Sequence, residues 1–215
     1  MTFKNLIAIT AFLILTHSNA MAIEEPSYEV IETYEEFEVR RYEPYLLAEV
    51  DVSGGINSAG NKAFRILAGY IFGDNAAATK MAMTAPVESR SANQGEKMAM
   101  TAPVTSTKKE GDEMTTVAFV MEQKYSIDTL PTPNDERIRI REVPERFVAV
   151  RRYSGRWTDA KYQRNLQLLI EALSNVSLEV VGEPVLARYN SPFSLPMMRR
   201  NEVMFEIKTS DSNAI

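Results

Sequence analysis

Cysteine and histidine, the side chains that most often act as nucleophiles, general bases and ligands of transition metals, are almost missing from this chain of 215 residues. The chain has no cysteine and a single histidine, His17, which lies in a segment that we expect to be cleaved off. The mature chain is therefore expected to lack Ser-His and Cys-His catalysis, imidazole and thiolate metal sites, and disulfides.

The N-terminal residues predict export. Lys4 supplies a positive charge, Leu6–Leu15 is an apolar run too short to span a bilayer, and small residues allow cleavage after Ala20 or Ala22. We expect residues 1–22 to be a secretory signal peptide and the mature chain to be soluble and exported, which in a bacterium means the periplasm. Losing Lys4 changes the formal net charge from −5 to −6. This acidic chain has no basic tail and no later apolar segment of membrane-spanning length, so neither nucleic-acid binding nor membrane insertion is expected.

One heptapeptide, MAMTAPV, occurs twice, at Met81–Val87 and at Met98–Val104. In a strand, its two methionines and its second alanine would share one face, and methionine fills irregular core volume well. Pro86 and Pro103 would mark strand ends or edges, because proline donates no hydrogen bond to a ladder. We interpret the copies as neighbouring strands of one core, joined by a short turn; a direct ligand role for the methionines is the alternative.

The rest of the chain alternates strand patterns with two amphipathic helices. Strands are predicted at Tyr28–Thr33, Phe37–Tyr42, Tyr45–Val52, Thr79–Val87, Glu96–Thr105, Met114–Lys124, Arg137–Val143, Phe147–Tyr153, Leu178–Tyr189 and Glu202–Lys208. A first helix is predicted from the spacing of Ile56, Ala63, Phe64, Leu67, Ala68 and Ile71, and a second from about Thr158 to Leu173. We expect residues 23–208 to form one domain and residues 209–215 a disordered tail.

A fainter repeat appears at an offset of 101 residues. Two segments share the order strand, proline-containing turn, strand, Ser-Gly, helix, and they match at Phe37/Ile138, Val39/Ile140, Arg40/Arg141, Leu46/Phe147, Leu47/Val148, Ala48/Ala149, Ser53/Ser154 and Gly54/Gly155. We infer two similar halves, each a hairpin that leads into a helix. Such halves predict an α+β fold in which two helices pack against a twisted antiparallel sheet or barrel. The single tryptophan, Trp157, is expected to anchor the second helix to the sheet.

Four segments, in this order, resemble the SOUL haem-binding protein family: YEEFEVRRYEPY, KMAMTAPV, LPTPNDERIRIREVPERFVAVRRYSGRW and MRRNEVMFEI. The resemblance covers about Tyr28 to Lys208. It implies a distorted antiparallel β-barrel or sheet with two helices and pseudo-symmetric halves, similar to GyrI-like small-molecule-sensing domains, and the binding of haem or another tetrapyrrole. Some family members carry a histidine before the tyrosine of the EVRxY segment. This chain has Arg41 there, so the resemblance implies no imidazole ligand.

The resemblance also implies where haem would bind without a covalent bond, in an apolar groove between the first helix and a late loop, Tyr189–Arg200. Apolar side chains there would contact the ring, and cations would pair with the propionates. The candidate residues are Lys62, Phe64, Arg65, Leu67, Ala68 and Ile71 of the helix, and Tyr189, Phe193, Met197, Met198, Arg199 and Arg200 of the loop. Met197, Met198 and Tyr189 are the first candidates for an iron ligand. The alternative is that the loop covers the end of the barrel and packs its apolar side chains inward.

Two other functions remain open at this stage. GyrI-like relatives include proposed hydrolases, for which Glu202, Glu49 or Glu122 could serve if buried beside a cavity. No paired-carboxylate spacing supports that reading. The other alternative is an exported protein-interaction module with no small ligand. We therefore expect a tetrapyrrole-binding protein that is not an enzyme; the sequence does not indicate its oligomeric state.

Overall fold

The structure, a computed structural model, describes residues 23–77, 95–108 and 111–208. The signal peptide, the first copy of the repeated heptapeptide and the C-terminal tail lie outside the described residues and stay predictions. The described elements are β1 (Tyr28–Thr33), β2 (Glu38–Tyr42), β3 (Tyr45–Ser53), α1 (Ala59–Ile71), β4 (Asn75–Ala76), β5 (Val104–Thr107), β6 (Met114–Val120), β7 (Thr132–Pro133), β8 (Arg139–Val143), β9 (Arg146–Tyr153), α2 (Asp159–Asn175), β10 (Val180–Arg188) and β11 (Asn201–Ile207).

Nine of these strands form one antiparallel sheet in the order β1-β2-β9-β11-β10-β5-β6-β3-β8, and β4 pairs with β7 separately. The predicted α+β class, with two helices and a large antiparallel sheet, is confirmed. The sheet is open, because β1 and β8 are its edges and do not pair with each other.

The two halves of the sequence are visible in the sheet. The equivalent strands of the two halves are β2 and β8, β3 and β9, β5 and β10, and β6 and β11. With this matching, the strand order from β2 to β8 reads the same in both directions. Gly54 and Gly155, which are 101 residues apart, both follow the second strand of their half with positive φ angles of 126° and 119°. Only glycine adopts such a conformation without strain. The predicted pseudo-symmetry is therefore confirmed.

The predicted hairpins are wrong, although only two residues separate β2 from β3 and β8 from β9. Instead, β2 pairs with β9, and β3 pairs with β8. The halves thus exchange their first strands. Two-residue hairpins need residues that accept positive φ, and Glu43-Pro44 and Pro144-Glu145 do not supply them. Each short link must instead join strands that are far apart in the sheet order, which bends the sheet.

Both helices pack on the same face of this sheet. Val50, Val117, Ser106, Leu186 and Val203 form one continuous row of paired positions. Its first two members lie in the core under α1, and its last two lie in the core under α2. The opposite face carries a third cluster that includes Tyr42, Val148, Tyr189 and Met204.

The second copy of the heptapeptide is not the strand that its alternation predicted. Strand β5 begins only at Val104. Upstream, the Met98 N–H donates to the Ile71 carbonyl at the end of α1 at 2.8 Å. The Ala102 N–H donates to the backbone carbonyl of Glu24 at 2.8 Å. The Met98 side chain is nonetheless 5% exposed and belongs to the core under α1. The core role expected for the first methionine of this copy is confirmed, but its backbone partners are a helix end and the N-terminal segment.

Candidate functional site

The loop from Tyr189 to Arg200 joins β10 to β11 and is closed at its base by hydrogen bonds. The Tyr189 N–H donates to the Arg200 carbonyl at 3.2 Å, and the Arg200 N–H donates to Asn190 Oδ1 at 2.6 Å. Within the loop, the Arg199 guanidinium donates to the carbonyls of Ser194 at 2.9 Å and Pro192 at 2.6 Å. A short 3-10 turn covers Pro196–Met198. The loop is therefore held by its own hydrogen bonds.

Four apolar side chains of this loop face solvent. Phe193 is 95% exposed, Met197 76%, Met198 71% and Leu195 59%. We call these four residues the apolar loop surface. The alternative in which the loop packs its apolar side chains inward is wrong, because none of the four is buried.

The helix residues of the predicted groove fall into two groups. Leu67, Ala68 and Ile71 are buried beneath α1, which packs on β3 and β6. Lys62, Phe64 and Arg65 are exposed. Phe64 is 43% exposed and meets Phe119 edge-on at 5.5 Å between ring centroids. A ligand on the surface of this structure would therefore contact Phe64 rather than the three buried residues.

A buried arginine ties the beginning of α1 to the base of the loop. Arg188, the last residue of β10, donates to the Ile56 carbonyl at 3.5 Å and to Asn57 Oδ1. Its guanidinium lies 5.1 Å from the centre of the Trp157 ring. Arg188 thus holds the segment that leads into α1 close to the start of the loop.

The two arginines at the end of the loop have different environments. The Arg199 guanidinium stacks on Trp157 at 4.6 Å from the ring centre and forms no ion pair with the described residues. Trp157 is held in place because its Nε1–H donates to Asn201 Oδ1 on β11 at 2.7 Å, which confirms that it anchors the start of α2 to the sheet. Arg200 pairs with Glu25 at 2.8 Å and Glu202 at 2.9 Å. Its charge is therefore offset, whereas that of Arg199 is not.

Lys62 and Arg65 on α1 also form no ion pair within the described ranges. Lys62 Nζ donates to the Ser53 carbonyl and hydroxyl, each at 3.3 Å. With Arg199, these residues supply three cations without carboxylate partners on the elements that flank the predicted groove. The structure thus places, on both elements of the predicted groove, cations that have no carboxylate partner among the described residues, and it places exposed apolar side chains on the loop. The binding role of all twelve predicted residues remains a prediction.

Glu202, a candidate hydrolase carboxylate, is fully buried on the other face of the sheet. Its Oε1 accepts hydrogen bonds from Arg40 and Arg200, and its Oε2 accepts from Arg40 and Tyr189. Burial by itself would raise the pKa of Glu202, but the hydrogen bonds and charges of the arginines outweigh it and lower the pKa. The carboxylate is therefore ionised and saturated with donors, which is the opposite of a general base with a raised pKa.

The two other candidate carboxylates are also engaged in ion pairs. Glu49 accepts from Arg139 at 3.4 Å and from Arg141 at 2.9 Å. Glu122 pairs with Lys124 at 3.1 Å and accepts from the Ala99 N–H at 2.8 Å. Among the described residues there is no group of three or more histidine, cysteine or acidic side chains that could hold a metal ion.

The face of the sheet opposite the helices contains a cavity of about 220 Å³ that sequence analysis did not identify. Its lining includes Tyr42, Tyr45, Arg146, Val148, Tyr189 and Met204. Clefts that bury drug-sized ligands are larger, about 300–1,000 Å³. The sequence held no signal for the cavity, because its walls come from strands whose neighbours depend on the exchange of β2 and β8.

Comparison with known proteins identifies the family. A family model described as SOUL heme-binding protein matches residues 23–94 and 89–206. The chain belongs to the SOUL heme-binding protein family. This SOUL chain is also 29% identical to mouse (Mus musculus) "Heme-binding protein 2" over 202 residues, which cover 91% of each chain.

Solved structures show the same fold at very low identity. The C-terminal domain of EcmrR is 9% identical, with a TM-score of 0.57, over 85% of the SOUL chain and 98% of that domain. A hydrolase from Listeria innocua is 10% identical, with a TM-score of 0.52, over 83% and 94% of the two chains. These likenesses agree with the GyrI-like architecture that the resemblance implied. At such identities they show the fold alone. None of the helices in the described part of the SOUL chain is long and apolar enough to cross a membrane.

Proposed function

We propose that this SOUL-family protein binds haem or a related tetrapyrrole non-covalently, between the apolar loop surface and the exposed side of α1. The observation that carries the proposal is the exposure of four large apolar side chains on a hydrogen-bonded loop. Contiguous apolar patches on soluble proteins usually mark binding sites. Membership of a family described as heme-binding supports a tetrapyrrole as the ligand.

The residues present fit both parts of such a ligand. Phe193, Met197 and Met198 offer apolar and polarisable contacts to a flat macrocycle, and Phe64 offers an aromatic ring on the helix side. Arg199 is the loop cation without a carboxylate partner, so it is the first candidate to pair with a propionate. Burying several hundred Å² of macrocycle at about 25 cal/mol per Å² contributes on the order of 10 kcal/mol before the costs of association.

Tetrapyrrole binding here does not depend on a strong protein ligand to iron. No histidine is present in residues 23–215. Tyr189 is buried under Arg200, whose guanidinium lies 3.6 Å from its ring centre, and its hydroxyl donates to Glu202 at 2.7 Å. Burial and the nearby Glu202 carboxylate raise the pKa of Tyr189 far above its usual value, so its phenolate does not form. Met197 and Met198 are the remaining candidates.

A hemin titration of the full chain tests the proposal. We expect a saturable change in the Soret band, which is lost or at least tenfold weaker in the triple variant Phe193→Ser, Met197→Ser, Met198→Ser. A matched control replaces three apolar side chains that are exposed elsewhere, Ile23, Phe72 and Ile127, by serine. If the control loses as much affinity as the loop variant, hemin binds by general hydrophobic association and the proposed surface is wrong.

The proposal includes a binding role without catalysis and export of the chain. Glu202 already accepts hydrogen bonds from Arg40 and Tyr189, and Glu49 and Glu122 are held in ion pairs. These observations support a role without catalysis. The charged start, apolar run and small residues within residues 1–22 support export. Cell fractionation that recovered the uncleaved chain in the cytoplasm would contradict the export part alone.

A further inference from the structure

The cavity on the face opposite the helices lies at the pseudo-two-fold axis of the fold. Arg146 Nη2 donates to the Tyr45 hydroxyl at 2.7 Å across this face, and the two residues are 101 positions apart, the offset of the internal repeat. They are the first residues of β9 and β3, so they occupy equivalent places in the two halves. Residues related by a two-fold axis can touch each other only near that axis. The contact therefore marks the place where both halves contribute to one cavity.

A buried hydrogen-bond donor without an acceptor in the described part of the chain lies at this place, beside a half-buried hydroxyl. The Nε–H of Arg146 is buried and has no hydrogen-bond partner, although its two other nitrogens donate to Tyr45 and Glu206. The Tyr45 hydroxyl accepts from Arg146, and its own proton has no acceptor among the residues that the structure describes. Burying a donor without an acceptor costs free energy. An acceptor supplied by a ligand would remove that cost.

One part of the cavity wall is apolar. The rings of Tyr42 and Tyr189 line it with the side chains of Val148 and Met204, and all four residues are buried. The hydroxyl of Tyr189 is committed to Glu202, and the Tyr42 hydroxyl accepts from Arg40. These two tyrosines therefore present mainly their rings to a ligand. A flat apolar body suits such walls.

Two arginines and two glutamates line the cavity: Arg141, Arg146, Glu183 and Glu206. Its net charge therefore does not select the sign of the ligand, whereas the Nε–H of Arg146, which has no acceptor among the described residues, favours a ligand that carries one. Arg141 is paired with Glu49 at 2.9 Å. Arg146 is paired with the partly exposed Glu206 at 3.2 Å, but through one nitrogen only. Planar carboxylates match the fork of donors that an arginine presents. The Nε–H of Arg146 and the hydroxyl of Tyr45 would each donate to a carboxylate oxygen.

From these observations we infer that the axial cavity is a second ligand site, which binds a small organic acid with a flat apolar body by its carboxylate. The volume of about 220 Å³ is suited to a single-ring acid and is below the usual size for larger ligands. The site is separate from the apolar loop surface, and the inference does not rest on the proposed tetrapyrrole function.

Calorimetric titration of the full chain with benzoate tests the inference, with benzamidine as the cationic isostere and acetate as the acid without a ring. We expect saturable binding of benzoate and at least tenfold weaker binding of the other two. Arg146→Gln should weaken benzoate binding at least tenfold, and Tyr45→Phe should weaken it severalfold. Arg139→Gln is the matched control, because Arg139 is an ion-paired arginine of β8 that does not line the cavity.

Three outcomes would overturn the inference: no saturable benzoate binding, benzamidine binding as tightly as benzoate, or an equal loss in Arg139→Gln and Arg146→Gln. Met204→Trp, which fills the cavity from its wall, should abolish benzoate binding and keeps the test decisive if Arg146→Gln fails to fold. The hemin titration should be the same in Arg146→Gln and in the unmodified protein. Competition between hemin and benzoate would contradict two separate sites, whereas failure of hemin binding alone would leave the axial site standing.

Discussion

The guanidinium of Arg40 on β2 donates two hydrogen bonds to the buried carboxylate of Glu202 on β11, at 2.9 and 3.0 Å. The two residues are 162 positions apart, and β9 lies between their strands in the sheet. Tyr189 and Arg200 complete the shell around the same carboxylate. This network joins the N-terminal strands to the last hairpin, on the face of the sheet that contains the axial cavity.

Replacing Glu202 by glutamine should destabilise the fold strongly. The change leaves the buried Arg40 guanidinium with only the partly exposed Glu38 as its counter-charge. Breaking a buried ion pair in this way costs about 3–5 kcal/mol. Urea unfolding at neutral pH measures the difference. The control is Glu38→Gln, because Glu38 also pairs with Arg40 but is partly exposed, and a partly exposed pair contributes about 1 kcal/mol or less. Equal losses in both variants would show that burial of the pair is not what matters.

The same carboxylate should make stability depend on pH. The folded protein lowers the pKa of Glu202 below its ordinary value of 4.5. Its contribution is therefore complete above about pH 4.5 and is lost as the pH falls through the lower pKa of the folded state. Between about pH 5 and pH 2, the free energy of unfolding should fall more steeply for the unmodified protein than for Glu202→Gln.

Asp135 provides the internal check for that experiment. A hydrogen bond from Arg137 lowers the pKa of Asp135 to about 2, so its contribution is also lost in acid. Because Asp135 is present in both proteins, its effect cancels in the difference between the two curves. Parallel curves would mean that the pKa of Glu202 is not lowered by folding.

Met98 and Met197 should respond in opposite ways to truncation. Met98 is buried under α1, and Met197 faces solvent. Met98→Ala should cost about 2–5 kcal/mol because it leaves a cavity in the core. Met197→Ala should change stability by less than about 0.5 kcal/mol. A small loss for Met98→Ala, measured by denaturant unfolding, would show that the repeated heptapeptide does not pack as described.

Iron should matter little for tetrapyrrole affinity. We expect hemin and metal-free protoporphyrin to bind with dissociation constants within about a factor of ten, a difference below about 1.4 kcal/mol. The double variant Met197→Leu, Met198→Leu keeps the apolar surface and removes both sulfurs. Tighter binding of hemin that disappears in this variant would instead identify a methionine as an iron ligand.

Trp157 should report on the loop. It is the only tryptophan, and Arg199 of the loop stacks on its ring at 4.6 Å. Hemin bound at the apolar loop surface should quench its fluorescence saturably, at the same concentrations that change the Soret band. Trp157→Phe should remove the fluorescence signal and keep the absorbance change. Unaltered fluorescence at hemin saturation would place the ligand away from this loop.

The elements that local patterns specify were predicted well. β1 lies at the predicted residues, and α2 begins and ends within two residues of the predicted bounds. The segment Glu96–Thr105 failed because alternation of side chains does not reveal backbone partners, which here are Ile71 and Glu24. The predicted hairpins are wrong because strands that are close along the chain are not neighbours in this sheet: β2 pairs with β9, and β3 pairs with β8.

The predicted helix packing and the predicted ligand groove require opposite positions for the same residues of α1. The helical spacing of Leu67 and Ile71 indicates a face packed against the sheet, whereas the resemblance placed the same residues in a surface groove. In the structure both side chains are buried. The loop was a better guide, because its apolar residues have no periodic pattern that would match them to a core, and four of them are exposed.

The amino-acid sequence alone determines the chemistry that is absent from residues 23–215, since no folding can supply an imidazole or a thiol, and it reveals the two halves through their shared order of elements. The exchange of β2 and β8, the saturation of Glu202 by Arg40, and the meeting of Tyr45 with Arg146 depend on the three-dimensional fold. Each joins residues that are at least 90 positions apart. Such contacts arise when the whole sheet assembles and buries its faces together, and a local pattern does not identify which distant strand becomes the neighbour.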